Sequence, residues 1–252
     1  MSAIQQVLAS GGGIPELPSK TAMAVTFDRY TQLSHAIAGS GIVDANAGIL
    51  SFWIRLDGDS YANRYILTFG NGSFVIVNAS NKFRFYVTGP TGLSSLGFTG
   101  TVSYMPGATW YHVLLSWDMN AAAGAKPKHF LINGLVADRT VEDSGVASVT
   151  DYTMNPAVLG HNIYGASSTI AELYFAPGQY LDFDADTHQD NILKFRNSLG
   201  HPVSLGADGS LPTGIAPAIY LPNGYTTFTT NQGSGNDLVV DYGALTAGST
   251  SP

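Results

Sequence analysis

Asp182, Asp184 and Asp186 stand at alternate positions. On a β-strand that spacing puts three carboxyl groups on one face. Glycoside hydrolysis uses such a set, with one carboxylate as nucleophile or base and a second carboxyl as acid. Here the triplet precedes a helical pattern instead of lying in an apolar run, so it reads as helix capping and solvation. The same acids match the alternating ligands of an EF-hand calcium loop. Thr187 stands where that loop requires glycine, however, and Leu193 where it requires its final acid. Both readings are rejected.

The remaining chemistry-bearing residues are scattered. His35, His112, His129, His161, His188 and His201 show no metal-ligand spacing. His112 sits inside an apolar run and reads as a packed strand residue. No G-x-S-x-G elbow accompanies the serines. Gly70-Asn71-Gly72 is a turn and not a phosphate loop, because no helix follows it. No catalytic residue is assigned, and the chain is expected not to be an enzyme. Sugar recognition needs aromatic rings for stacking, with amides and charged groups for hydroxyls. Tyr61, Asn63, Arg64, Tyr104, Asn162 and Tyr164 are the loop residues of those types.

The elements that would position them are mostly strands. Ala24–Phe27, Gly48–Leu56, Tyr65–Phe69, Ser73–Val77, Lys82–Val87, Trp110–Trp117, Lys128–Ile132, Leu135–Asp138, Pro156–Gly160 and Ser168–Phe175 carry β-branched and aromatic runs or period-2 alternation. In one of them Phe83 and Phe85 alternate with Lys82, Arg84 and Tyr86, which predicts one buried and one wet face. Asn133-Gly134 predicts a tight hairpin. One helix is expected after Asp184 or Asp186, with a stripe of Ile192, Phe195 and Leu199, ended by Gly200 and Pro202. Regular strands with turn signals indicate an antiparallel sandwich. No internal repeat points to a propeller or solenoid.

The order of these pieces resembles the concanavalin A-like, laminin-G-like domains. Trp110-Tyr111-His112-Val113-Leu114-Leu115-Ser116-Trp117-Asp118 is similar to their W-x-H strand, and Phe130-Leu131-Ile132-Asn133-Gly134 to the hairpin that follows. Ile170-Ala171-Glu172-Leu173-Tyr174-Phe175 is similar to their late strand, and Val25-Thr26-Phe27-Asp28 with Leu33-Ser34 to their opening. The resemblance covers roughly residues 24–198. It implies an all-β, antiparallel jelly-roll sandwich with one short helix on its C-terminal side and extended terminal segments. It also implies a binding loop pair, Gly58–Tyr65 facing His161–Ala166. Such domains often hold a structural calcium; Asp28 or Asp118 would serve, but nothing in the sequence fixes the site, and no cofactor is expected.

The termini resemble structural proteins of tailed bacteriophages. The segments concerned are Gln5-Gln6-Val7-Leu8, Gly200–Gly214 with Pro217 and Tyr220, Gly233–Leu238, and Gly243 to Pro252. This implies a virion component, a head decoration or a tail- or fibre-associated protein assembled in the host bacterial cytoplasm. Its partners would be other virion proteins and copies of itself. The expected layout is an assembly arm over 1–20 anchored by Ile4, Val7 and Leu8, a sandwich with its helix over 21–200, and a Pro/Gly-rich connector and tail over 201–252. The alternative is a glycan-binding adhesion module for host cell-surface carbohydrate, using Tyr61, Asn63, Arg64, Asn162 and Tyr164.

Composition narrows the classes. The 252 residues are 44% hydrophobic, enough for a core. Only 12% are charged, about half of the ~25% usual for soluble domains. That low charge suits a protein packed against neighbours, and it also suits an ordinary secreted lectin. The net charge is -7, and no basic cluster is present to meet phosphate, which excludes nucleic acid. With no cysteine, disulfides and thiolate metal sites are excluded. Met1–Gln6 lacks the basic start of a secretory signal. No segment is apolar for long enough to be a membrane-spanning helix.

Overall fold

The computed structural model describes residues 17–36, 38, 40–58, 63–104, 106–161, 163–184 and 187–248. The chain begins with β1 (Ala24–Phe27), β2 (Gln32–His35), β3 (Ala47–Leu56), β4 (Arg64–Phe69) and β5 (Ser73–Val77). It continues through β6 (Phe83–Thr88), β7 (Ser95–Gly100), β8 (Trp110–Asp118), β9 (Lys128–Ile132), β10 (Leu135–Val136) and β11 (Arg139–Ser144). Then come β12 (Ala157–Gly160), β13 (Ser168–Pro177), the single helical turn α1 (Gln189–Ile192), β14 (Ile219–Leu221), β15 (Leu238–Tyr242) and β16 (Thr246–Ala247).

These strands form two antiparallel sheets. The first runs β10-β9-β8-β3-β13-β1-β16, with β14 also paired to β13. β1 pairs the early half of β13 and β14 its late half. Glu172, with φ 52°, lies at the bulge between them. The second sheet runs β11-β7-β6-β5-β4-β12-β2-β15.

The inner faces make one core. Leu50, Phe52, Ile54, Val113, Leu115, Trp117, Phe130 and Phe175 of the first sheet meet Leu67, Phe69, Val75, Phe83, Phe85, Phe98 and Leu159 of the second. Burying each such side chain is worth roughly 1.5–3 kcal/mol. The Trp117 indole N–H donates to Thr150 Oγ1 at 3.1 Å, so its one polar group is satisfied within the core. A buried ion cluster closes one end of this layer. Lys126 and Lys128 both donate to Asp143, at 2.8 and 2.7 Å. Burial would raise the Asp143 carboxyl, but the two ammonium groups outweigh it and hold the group below the usual carboxylate range.

The first sheet's outer face is sealed by the chain's own later residues. Ile49, Leu114, Leu131, Tyr174 and Ala176 pack beneath Phe183, Ile192, Phe195, Val203, Leu205 and Tyr220. Several polar groups lie under this cover. Glu172 accepts from Lys20 at 2.7 Å and from the Tyr220 hydroxyl at 3.2 Å. His112 stacks on Trp53 with centroids 4.6 Å apart, and its Nε2 lies 2.9 Å from Ser51 Oγ.

The structure corrects the expected helix and return strand, and it adds β7, β11, β14, β15 and β16 to the expected strands. The helix is one turn and not a stripe reaching Leu199, which is 76% exposed. No side chain caps it, and His188 holds the position before it. The returning chain explains the early stop: Arg196 bridges to Pro202, and Asn197 N–H bonds back to the His201 carbonyl. The expected return strand Leu135–Asp138 is only two residues long. The chain then crosses to the second sheet as β11, a strand of mostly polar residues formed because all six of them pair with β7. The Asn133-Gly134 turn has the expected geometry, with φ 55° and 79°.

Candidate functional site

The second sheet keeps an outward face that no described segment crosses. Val158, Thr68, Phe74, Tyr86, Gly97 and Glu142 lie side by side across β12, β4, β5, β6, β7 and β11 in one register row. Alternation on a half-buried strand puts these residues outward while Val75, Phe85 and Phe98 point into the core. Thr68, Phe74 and Tyr86 stay half-exposed, and Glu142 is exposed.

The rings on this face are contiguous. Phe74 and Tyr86 are near-parallel, with centroids 5.5 Å apart and planes at 24°. Tyr65 stands across the edge of Phe74 at 6.3 Å and 78°. His161 follows Tyr65 at 5.2 Å, and Tyr164 follows His161 at 5.5 Å. Gly97 makes room at the far end, because a Cβ there would lie 2.7 Å from the Tyr86 ring. Only glycine lets that ring rest on the sheet.

Beside the rings is a hollow of about 510 Å³, with Tyr65, Thr68, Phe74, Asn155, Pro156 and Val158 among its lining residues. That volume falls within the range of small-ligand sites. Polar groups border it. The Ile163 and Tyr164 backbone N–H groups donate to His161 Nδ1 at 3.1 and 3.2 Å. In the neutral ring this leaves Nε2 as the donor, next to Tyr65 and Tyr164. The Arg84 guanidinium lies 5.4 Å from the Phe74 centroid and 5.9 Å from that of Tyr86. It also meets Glu142 at 3.4 Å. Rings flanked by a hydroxyl, an amide and an imidazole N–H are a surface for a ligand with apolar C–H faces and many hydroxyls.

A family model described as the concanavalin A-like lectin/glucanases superfamily, laminin G type, matches residues 28–174, more than half of the sequence. This chain belongs to that superfamily. No curated protein matches it. Among solved structures, a candidate carbohydrate binding protein from Bacteroides ovatus is similar at TM-score 0.54 and 11% identity, over 92% of this chain and 60% of its own. The LG4-5 domains of the mouse laminin alpha1 chain follow at TM-score 0.45 and 13% identity, over 69% and 46%. The botulinum neurotoxin serotype C1 binding domain is similar at TM-score 0.41 and 16% identity, over 59% and 37%. The chain therefore spans between 37% and 60% of the length of these structures. The likeness to the Bacteroides ovatus structure shows the shared fold.

The superfamily fold brings together the two loops expected from the sequence. Tyr65 N–H donates to the Tyr164 carbonyl at 2.8 Å, and Ala166 N–H to the Tyr65 carbonyl at 3.3 Å. Asn63 is exposed, and Tyr164 is 53% exposed at the loop apex. Arg64 is buried, and its guanidinium holds the Gly58 carbonyl and Asn81 Oδ1. It positions the loop from below. Tyr104 packs against Phe83 and Tyr111. Tyr61, Asn162 and the arm residues Ile4, Val7 and Leu8 lie outside the described residues. The sequence reading missed Phe74 and Thr68 as site residues, whereas His161 opens the expected loop His161–Ala166. For Tyr86 and Arg84 the signal was present, since alternation already placed an aromatic ring on a wet face.

Two of the three alternate acids are described, and neither lies on a strand. Asp182 and Asp184 lie in irregular chain ahead of α1, and Asp182 Oδ1 accepts from the Asp184 N–H at 2.8 Å. Asp182 also meets His129 at 3.3 Å and His188 at 3.6 Å. Burial, opposed by Asp182, keeps the His129 imidazole below its ordinary value. Asp186 lies outside the described residues. Among the described residues no group of three or more His, Cys, Asp or Glu could hold a metal ion. No described helix is long and apolar enough to cross a membrane.

Proposed function

We propose that this domain is a non-enzymatic carbohydrate-binding module that holds glycan on the outer face of its second sheet. The carrying observation is the contiguous run Tyr164, His161, Tyr65, Phe74 and Tyr86 beside the Thr68 hollow. Partly exposed rings beside a hollow offer stacking faces for sugar C–H groups. The superfamily includes lectins, and the Bacteroides ovatus neighbour is described as a candidate carbohydrate binding protein. The acids of the surrounding strands support binding without hydrolysis. On β4 to β7, β11 and β12 they are Glu142 and Asp143, the first facing Arg84 and the second tied to two lysines.

The test is affinity electrophoresis through gels cast with a panel of polysaccharides. The wild-type chain is expected to be retarded by at least one, and the double variant Phe74→Ala, Tyr86→Ala to migrate as in a blank gel. Equal retardation of both proteins, or no retardation anywhere, would contradict the proposal. Attachment of the module to a phage particle, in a host cytoplasm, is a second proposal carried by the resemblance of the terminal segments alone. Deleting residues 1–18 is expected to abolish particle attachment and leave gel retardation intact; attachment without the arm would refute it.

A further inference from the structure

A second hollow stands on the first sheet, where the β9–β10 turn meets α1 and the chain after it. It measures about 230 Å³, and Arg196 lines it together with Asn133, Gly134, Gln189, Asn197 and Ser198. Two glycines seat the Arg196 guanidinium. A Cβ on Gly134 would lie 2.8 Å from Nη1, and one on Gly200 would lie 2.7 Å from Nη2. The group is therefore held against the backbone of both turns instead of ranging through solvent.

What this cation lacks is an anion. Among the described residues no carboxylate forms an ion pair with Arg196, and its Nη1 is buried without a hydrogen-bond partner. Burial holds the guanidinium below its ordinary value, with no acid opposing it. Its charge in turn helps to keep a proton off His112. No Asp or Glu is among the lining residues, and Asp190, the acid of α1, is exposed. A charge taken from water without a partner is costly, so the hollow favours an anionic occupant.

The amides beside it point to the same class. Asn133 Oδ1 accepts from the His112 backbone N–H at 2.8 Å, and Asn197 Oδ1 from the His201 backbone N–H at 2.8 Å. With each oxygen engaged by the backbone, the NH2 end is left for a ligand. A carboxylate is acceptor-only, and its plane matches that of a guanidinium. One cation in the lining suits one negative charge better than a phosphate dianion. The volume lies below the roughly 300–1,000 Å³ of drug-sized sites, so the occupant is small. We propose that this hollow binds a small monocarboxylate, held by Arg196 and by the Asn133 and Asn197 amides. The site is separate from the aromatic face, and its test does not depend on the carbohydrate-binding reading.

The test is an NMR titration of the full, isotope-labelled chain with acetate, lactate and glucuronate, at constant ionic strength balanced with chloride. Lactamide serves as the neutral control, and sulfate, phosphate and trialanine as competing classes. Saturable shifts are expected at Gly134, Gln189, Asn197 and Gly200 with the three acids and not with lactamide. Arg196→Gln is expected to weaken binding at least tenfold. Asn133→Asp keeps an acceptor for the His112 N–H and tolerates the left-handed backbone of that turn. It places a carboxylate at the hollow, so it is expected to fold as the wild type does and to weaken binding as strongly.

Each contrary result is distinct. Shifts that never saturate, or that are equal in the wild type and in both variants, would overturn the site. Tighter binding of sulfate or phosphate than of every acid would overturn the carboxylate class. Tighter binding of trialanine than of any small acid would replace the small ligand with a peptide chain end. Any of these results would leave polysaccharide retardation by the second sheet as it stands.

Discussion

The outward side chains of β3 and β13 include Ile49, Ser51, Trp53, Tyr174 and Ala176, and every one of them is buried. The outward side chains of β5 and β6 include Phe74, Arg84 and Tyr86, and those three remain half-exposed. Both faces carry aromatic rings at period-2 positions. On the first sheet, Phe183, Ile192, Phe195, Val203, Leu205 and Tyr220 return to cover Ile49, Tyr174 and Ala176, and Trp53 packs with Ala22 and Trp110. On the second sheet the outward Ile76 is buried too, but among the described residues no such cluster packs over Phe74, Arg84 and Tyr86. Exposed rings are therefore not simply a by-product of strand composition. The chain spends a long C-terminal stretch hiding one aromatic face and leaves the other open, and the open one also has the hollow, the His161 donor and the glycine seat for Tyr86.

This contrast can be broken most forcefully from the covered side. Phe195 is 2% exposed and packs edge-on against Tyr174 and Phe183. Phe195→Ala is expected to cost about 3–5 kcal/mol of stability, read by urea unfolding. Polysaccharide retardation of the folded fraction should stay unchanged. Loss of retardation without loss of stability would mean that the covered face takes part in binding.

The next effect is pH-dependent. Burial, aided by the Arg196 charge, lowers the His112 imidazole from 6.5 to about 3. The folded protein thus binds this proton less readily than the unfolded chain. The stabilisation is complete above about pH 6.5 and is lost as pH falls from there toward the folded value. The wild type is expected to lose more stability than His112→Gln between about pH 7 and about pH 5, compared by denaturant unfolding. Parallel pH profiles would place the group in a wetter setting.

The smallest effect sharpens the open side. A Cβ at Gly97 would lie 2.7 Å from the Tyr86 ring. Gly97→Ala should tilt that ring off the sheet and weaken polysaccharide retention, while costing about 1 kcal/mol of stability, less than Phe195→Ala. Unaltered retention would show that Tyr86 does not need its flat seat.

Much of the sandwich was legible in the sequence because strand alternation and turn chemistry are local. Ala24–Phe27, Ser73–Val77 and Lys128–Ile132 fall where the pattern put them, and Asn133-Gly134 turns as its residue types require. What was not legible depends on partners distant in sequence. Arg139–Ser144 has the composition of a loop, and β7 makes it a strand. Ile192, Phe195 and Leu199 have helical spacing, but the returning chain bonds to Arg196 and Asn197 and ends the helix early. The site divides in the same way. The meeting of the Tyr65 and Tyr164 loops was implied by the family resemblance. The burial of Arg64 beneath them, and the alignment of Phe74 with Tyr86, required the strand register.

The most direct test of the account is to map the bound surface by NMR, titrating the retaining polysaccharide's oligosaccharide into labelled protein. The account predicts perturbed signals at Tyr65, Thr68, Phe74, Tyr86 and His161, with Tyr174, Phe195 and Tyr220 silent. Perturbations gathered on the covered face or its edges, with the Phe74 and Tyr86 signals unmoved, would contradict it.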